Sequence, residues 1–330
     1  MVIQWKRRLA AGLVLAVLPL IMTAGSLYFH CEEVRAAQVI KEEKGPYGCL
    51  TWPQNLNAVR SEVEIFKEIP KDLRADAPIA NAIYRNTKVY TNSLMLDMRQ
   101  LQAEKPLFYR VRAYDLDGHP IGPYSQPADV ESALFKTERN APIPHDSYGK
   151  GNGSVLLYPV YAYTGNPNAA SYEIEVTSKY PENLHGFSPS VHRIYAAKTE
   201  LTDLYDDAPR TGTYYWRVRG MDSTGKPVGE WSLPQEIKNP VKHWKVAVYG
   251  DSISHGGGHL SFGPADLAYS YESYLDFPSI NLSQSGDTSE AMVMRFEKDV
   301  LPFSPEYLLI LGGTNSLRAG VPAADVISDL

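Results

Sequence analysis

The chain has 330 residues, 44% of them hydrophobic and 21% charged, which excludes wholesale disorder and a multispan membrane protein and leaves room for two or three domains. The net charge of −6 lies in residues 241–330, with 5 basic against 11 acidic side chains, so nucleic acid is excluded as the main partner for want of clustered Lys and Arg. Two cysteines exclude a disulfide scaffold and a four-cysteine zinc site.

Residues 1–45 read as an export signal or membrane anchor followed by a linker. Lys6, Arg7 and Arg8 precede an uncharged apolar run from Leu9 to Phe29, and Glu32 and Glu33 restore polarity after it. The run is about as long as a bilayer-spanning helix, so a signal cleaved near Thr23-Ala24-Gly25 and an uncleaved anchor through residues 9–29 both fit. Either places the protein outside the cytoplasm, secreted or membrane-anchored. Phe29 and His30 argue against a lipoprotein site at Cys31, and Cys31 and Cys49 can pair after export or stay as thiols.

An internal repeat follows. Phe108-Tyr109-Arg110-Val111-Arg112 lies over Tyr215-Trp216-Arg217-Val218-Arg219 at an offset of 107, which also aligns Asp115 with Asp222, Gly118 with Gly225, Gly122 with Gly229, Tyr124 with Trp231 and Ser125 with Ser232. Each copy reads as an alternating strand, a glycine turn and a second short strand, the end of a β-sandwich. The pattern resembles the last strands of fibronectin type III domains over residues 46–133 and 154–240, with 134–153 as the linker. Tyr109, Trp216 and Trp231 read as packing residues rather than a sugar platform. The two modules are expected to act as spacers.

After Pro240 the texture becomes α/β. Lys245–Tyr249, Ser279–Leu282 and Tyr307–Leu311 read as buried parallel strands, with helices expected over Ala268–Leu275, Thr288–Val300 and from Ala323 to Leu330. Met292, Phe296 and Val300 share one helix face. Each strand ends in a polar, glycine-containing turn: Gly250-Asp251-Ser252, Ser285-Gly286-Asp287 and Gly312-Gly313-Thr314-Asn315. Ligands in such sheets bind at the carboxyl ends of strands. Acyl transfer needs a nucleophilic hydroxyl beside donors aimed at the developing oxyanion. Ser252 offers the hydroxyl, and its N–H, the Gly286 N–H and the Asn315 amide offer the donors. Asp251, His255 and Asp287 are pocket candidates, with Asp251 holding its turn. Asp266, Asp276 and Asp299 read as surface groups or caps.

Gly-Asp-Ser, Asn-Leu-Ser-Gln-Ser-Gly-Asp (281–287) and Leu-Gly-Gly-Thr-Asn (311–315), in that order and each at a strand end, resemble the first three sequence blocks of SGNH, or GDSL-type, hydrolases. The resemblance implies a three-layer, flavodoxin-like α/β fold that hydrolyses esters without a cofactor, its substrates being acylated carbohydrates, lipids or other carboxylic esters. It also implies Ser252 as nucleophile with Gly286 and Asn315 as oxyanion donors. Two departures stand out. Ser316 occupies the position where Asp commonly follows the oxyanion Asn, and no His among the 330 residues has Asp three positions before it, so the family's Asp-x-x-His base is missing. Residues 241–330 thus read as the amino-terminal part of a hydrolase domain cut short at Leu330.

His255 and His259 have a four-residue spacing that metal ligands can use, but the intervening glycines and the absent H-E-x-x-H disfavour zinc. Neither a P-loop ending nor G-x-S-x-G is present, which argues against nucleotide binding and the ordinary α/β-hydrolase family. The non-enzyme alternative is an inert exported adhesion or scaffold protein that binds partners through its β modules.

Overall fold

The computed structural model describes residues 46–53, 55, 57–101, 106–115, 117–133, 135–137, 139–145, 155–184, 186–256, 271, 275 and 277–330. The apolar run 9–29, Cys31, His259, Asp266, Asp276 and nearly all of the expected helix 268–275 lie outside them. No helix among the described residues is long and apolar enough to cross a membrane.

The first module contains β1 (Tyr47–Thr51), β2 (Arg60–Phe66), β3 (Tyr84–Val89), β4 (Ser93–Asp97), β5 (Phe108–Tyr114), β6 (Pro120–Ile121), β7 (Ala128–Asp129), the single turn α1 (Val130–Ala133) and β8 (Phe135–Thr137). They form two antiparallel sheets, β4-β1-β8 and β3-β2-β5-β6, with β7 also on β5. Leu50, Leu96, Ile65 and Tyr109, drawn from both sheets, close one core. The strand period of two explains which residues enter it: Val63 and Ile65 of β2 face one way, Glu62 and Glu64 the other. Cys49 is buried in β1, its thiol directed at the Leu50 carbonyl.

The second module repeats the arrangement. It comprises β9 (Ile143–Pro144), β10 (Val155–Leu156), β11 (Val160–Thr164), β12 (Ser171–Thr177), β13 (Arg193–Thr199), β14 (Asp203–Tyr205), β15 (Gly212–Met221), β16 (Pro227–Val228) and β17 (Gln235–Asn239). Its sheets are β14-β11-β9 and β13-β12-β15-β16, with β17 on β15, around Tyr161, Tyr163, Ile174, Val176, Trp216 and Val218. Register matches residue for residue: Ile65 pairs with Tyr109 as Val176 pairs with Trp216, and Glu64 with Arg110 as Glu175 with Arg217.

These cross-strand Glu–Arg pairs are buried. Arg110 reaches Glu64 at 2.8 Å beneath Tyr124, and Arg217 reaches Glu175 at 2.5 Å beneath Trp231. Each guanidinium also donates to the main chain, at the Arg74 and Ala77 carbonyls in the first copy and the Asn183 carbonyl in the second. Ser125 and Ser232 accept from the N–H groups of Val111 and Val218, each at 3.0 Å. The glycine turns align as well, with Gly118 at φ +81° and Gly225 at φ +79°. Tyr109, Trp216 and Trp231 are buried packing residues, as expected.

Two expectations are corrected here. The supposed linker 134–153 carries β8, which pairs with β1, and β9, which pairs with β11, so these two stretches of it belong to the sheets on either side. The second module is also no mere spacer. Its β10 runs parallel to a strand of the carboxy-terminal sheet, and its Leu156, Leu157, Tyr158, Val160 and Tyr205 share one core with that domain.

The carboxy-terminal domain consists of β18 (Val246–Gly250), α2 (Ser252–His255), β19 (Ser279–Asn281), α3 (Ser289–Asp299), a 3-10 turn (Leu301–Phe303), β20 (Tyr307–Leu311), α4 (Thr314–Arg318) and α5 (Ala323–Asp329). All pairings are parallel, in the order β10-β19-β18-β20. The apolar run of β18 is buried throughout, as a strand with neighbours on both sides requires. Met292 and Val300 of the predicted helix face enter the core, with Phe296 packed against it. Because β19 and β20 flank β18 on opposite sides, β18 is the point where strand order reverses. In such sheets ligands bind at that point, outside the carboxyl ends of the strands.

Candidate active site

Ser252 begins α2 immediately beyond β18. Asp251 caps the turn, its carboxylate accepting from the Ile253 N–H at 3.0 Å, and Gly256 closes it at φ +88° with its N–H on the Ser252 carbonyl. Asp251 is buried whereas Ser252 is partly exposed, so the turn fixes the backbone and leaves the serine accessible. Burial pushes the Asp251 carboxyl above its ordinary value, opposed by its bond from Ile253. Its second oxygen has no hydrogen-bond partner among the described residues. Gly250 lets β18 and β20 converge: a Cβ there would lie 2.0 Å from the Leu311 carbonyl oxygen and 2.6 Å from Ser254 Oγ.

The second turn is tied to the first. The Gln284 N–H donates to the Gly250 carbonyl at 3.0 Å, and Asn281 Nδ2 donates to the Ser254 carbonyl at 2.8 Å. Gly286 stands exposed at φ +92°, a conformation that favours glycine. The third turn joins through Asn315, whose Nδ2 donates to the Asp287 carbonyl at 2.8 Å. An amide nitrogen carries two protons, so one remains for a ligand. Ser316, where the family pattern has Asp, accepts from the Ser289 N–H at 2.8 Å, and Ser289 Oγ in turn donates to Asp329 at 2.6 Å. The serine therefore joins the starts of α3 and α4 to α5.

Arg295, which sequence reasoning missed, links the strand ends from beneath. Its guanidinium donates to the Leu282 carbonyl at 2.6 Å and the Gly250 carbonyl at 3.1 Å, pairs with Asp287 through Nε, and reaches Asp299 at 3.3 Å. Burial opposes its charge, but Asp287 and its other partners hold its pKa above the ordinary value. Burial raises Asp287 too, with Arg295 opposing. Asp287 is thus half of a buried ion pair. Asp299 corrects the surface expectation: it is 2% exposed and also accepts from Tyr158 Oη at 2.5 Å. The sequence signal was the Arg295–Asp299 spacing of four on a helix, which reads equally well as an exposed pair.

His255 is buried, with its ring turned to the second module. Nε2 donates to the Tyr158 carbonyl at 2.8 Å, which places the proton on that nitrogen, and the ring meets Tyr205 edge-on at 5.1 Å.

Residues 248–330 match the family model of the GDSL-like Lipase/Acylhydrolase family. No curated protein matches the chain. Among solved structures, the crystal structure of chicken CNTN1 FN1-FN3 domains aligns at 12% identity with a TM-score of 0.19, over 59% of this chain and 57% of that one. The aligned part is a little over half of either chain, and a likeness at that score carries no argument about the fold.

Proposed function

We propose that the domain at 248–330 hydrolyses carboxylic esters, with Ser252 as nucleophile and an oxyanion hole made by the N–H groups of Ser252 and Gly286 and the amide of Asn315. One observation carries this reading: the three turns follow three parallel strands at the strand-order reversal and are bonded to one another. In the reaction, Ser252 Oγ would attack the ester carbonyl, the three donors would stabilise the oxyanion, and its collapse would expel the alcohol and leave an acyl-serine for water to cleave. A base must take the serine proton. No His in the sequence has the Asp-x-x-His setting, and the buried His255 turns its Nε2 to the Tyr158 carbonyl of the second module. The chain as it stands is therefore expected to be a weak catalyst.

The same reading covers the rest of the chain. The order β19-β18-β20 supports a flavodoxin-like sheet, and the paired sheets of each module support two fibronectin type III-like sandwiches. Lys6-Arg7-Arg8 and the apolar run behind them support export, either secreted or anchored through residues 9–29. An extracytoplasmic esterase meets acylated polysaccharide or lipid as substrate. The competing reading, an inert adhesion or scaffold protein, draws on the missing base. Incubation with p-nitrophenyl acetate beside a Ser252→Ala control separates them: a rate lowered by the substitution supports the esterase, and identical rates support the scaffold.

A further inference from the structure

The second β module reaches the hydrolase rim at three places. The Tyr158 carbonyl accepts from His255, the last residue of the turn that Ser252 opens. Tyr158 Oη donates to Asp299, which pairs with Arg295; Arg295 pairs with Asp287, and the Asp287 carbonyl holds Asn315. The hydroxyl of Tyr205 accepts from the N–H of Ser285 at 3.3 Å, one residue before Gly286. Val155–Leu156 lock this arrangement in place by pairing with β19, and the Leu157 N–H donates to the Asn281 carbonyl at 2.8 Å.

Within its turn Gly286 itself has no packing beyond the backbone. Gly286 is exposed, and nothing lies within 4 Å of where its Cβ would stand. The residues just before it are instead held by bonds: Gln284 to Gly250 within the domain, and Ser285 to Tyr205 from the module. An oxyanion donor acts only when preorganised, and misplacement by about 1 Å can cost about 100-fold in rate. Tyr205 is buried, and burial raises its pKa well above that of a free phenol, so the hydroxyl stays neutral at physiological pH.

We infer that Tyr205 of the second β module is a positioning residue of the hydrolase site, holding the Ser285–Gly286 turn so that the Gly286 N–H meets the oxyanion. The inference rests on reading Ser252, Gly286 and Asn315 as that site. It assigns the module a part in ester turnover rather than in spacing.

Tyr205→Phe in the full chain keeps the ring and removes only the hydroxyl. Two measurements test it. In hydrogen exchange read by mass spectrometry, the peptide over 282–288 should exchange about tenfold faster in the variant, as loss of one hydrogen bond implies, while β12, β15 and α3 keep their protection. In acetylation of Ser252 by p-nitrophenyl acetate with imidazole supplied as base, kcat should fall by about 10- to 100-fold with KM unchanged. Unchanged exchange at 282–288 overturns the inference, as does an unchanged kcat where Ser252→Ala abolishes acetylation. If wild-type Ser252 is never acetylated, the proposed function fails, and the exchange data still decide whether Tyr205 holds the turn.

Discussion

Replacing Arg295 by Met tests how the strand ends are held. Arg295 is 9% exposed, and its side chain serves two buried carboxylates and two main-chain carbonyls. Removing one partner of a buried ion pair typically costs about 3–5 kcal/mol, because a charge is left uncompensated. Protonation sets a ceiling. A carboxyl whose ordinary value is 3.8 can escape at pH 7 by taking up a proton, at about 1.4 kcal/mol per pH unit, or about 4 kcal/mol in all. The two routes agree on a loss near 4 kcal/mol at pH 7. The sign with pH follows: burial already raises Asp287 above its ordinary value and Arg295 opposes that rise, so without the arginine its folded-state pKa stands further above the unfolded one, and the variant is most stable in acid and loses stability as pH rises. The gap to the parent chain should therefore narrow from pH 7 towards pH 4. Native-state hydrogen exchange in urea, read over 289–299, reports on this helix directly. A loss below about 1 kcal/mol, or one that is the same at pH 5 and pH 7, would refute a charge-based role.

Asp251→Asn keeps the cap on Ile253 and removes a carboxylate that burial disfavours. The parent's contribution from Asp251 is fullest below about pH 3.8 and is lost as pH rises through the raised folded value. Melting temperatures of the two chains should therefore diverge in favour of the Asp251→Asn variant between pH 3.5 and pH 6; parallel curves would contradict this. Gly250→Ala drives a Cβ into the Leu311 carbonyl and should cost at least the roughly 1–3 kcal/mol of overpacking. Gly286→Ala meets only backbone strain at φ +92° and should melt above it; the reverse order of melting points would show that the strand ends are not tightly apposed.

The sequence revealed what single elements encode. The three apolar runs of the carboxy-terminal domain became strands within about a residue of their expected bounds, because buried parallel strands are uninterrupted and glycine turns end them sharply. The 107-residue repeat was visible since β5 and β15 carry their hairpins with them. Its other half went unseen: Arg60–Phe66 corresponds to Ser171–Thr177 at an offset of 111, displaced by a change in the connecting loop, so no ungapped alignment covers both. Contacts distant in sequence were also hidden. Nothing in the two residues of β10 announces a parallel partner more than a hundred positions away. Arg295 and Asp299 follow the spacing of a solvated helix pair, and only tertiary packing buries them. The reach of Tyr158 and Tyr205 into the site follows from that same packing.

The proposal that Ser252 faces an oxyanion hole is tested most directly by supplying an external base. Imidazole is titrated into the chain with p-nitrophenyl acetate, with Ser252→Ala at each concentration as the blank for uncatalysed and imidazole-catalysed hydrolysis, and the protein is digested and sequenced by mass spectrometry. We expect turnover that rises with imidazole above the blank, an acetyl group on Ser252, and loss of about 100-fold or more with Asn315→Ala. Rates that coincide with the blank at every imidazole concentration, with no acetyl on Ser252, would contradict the account.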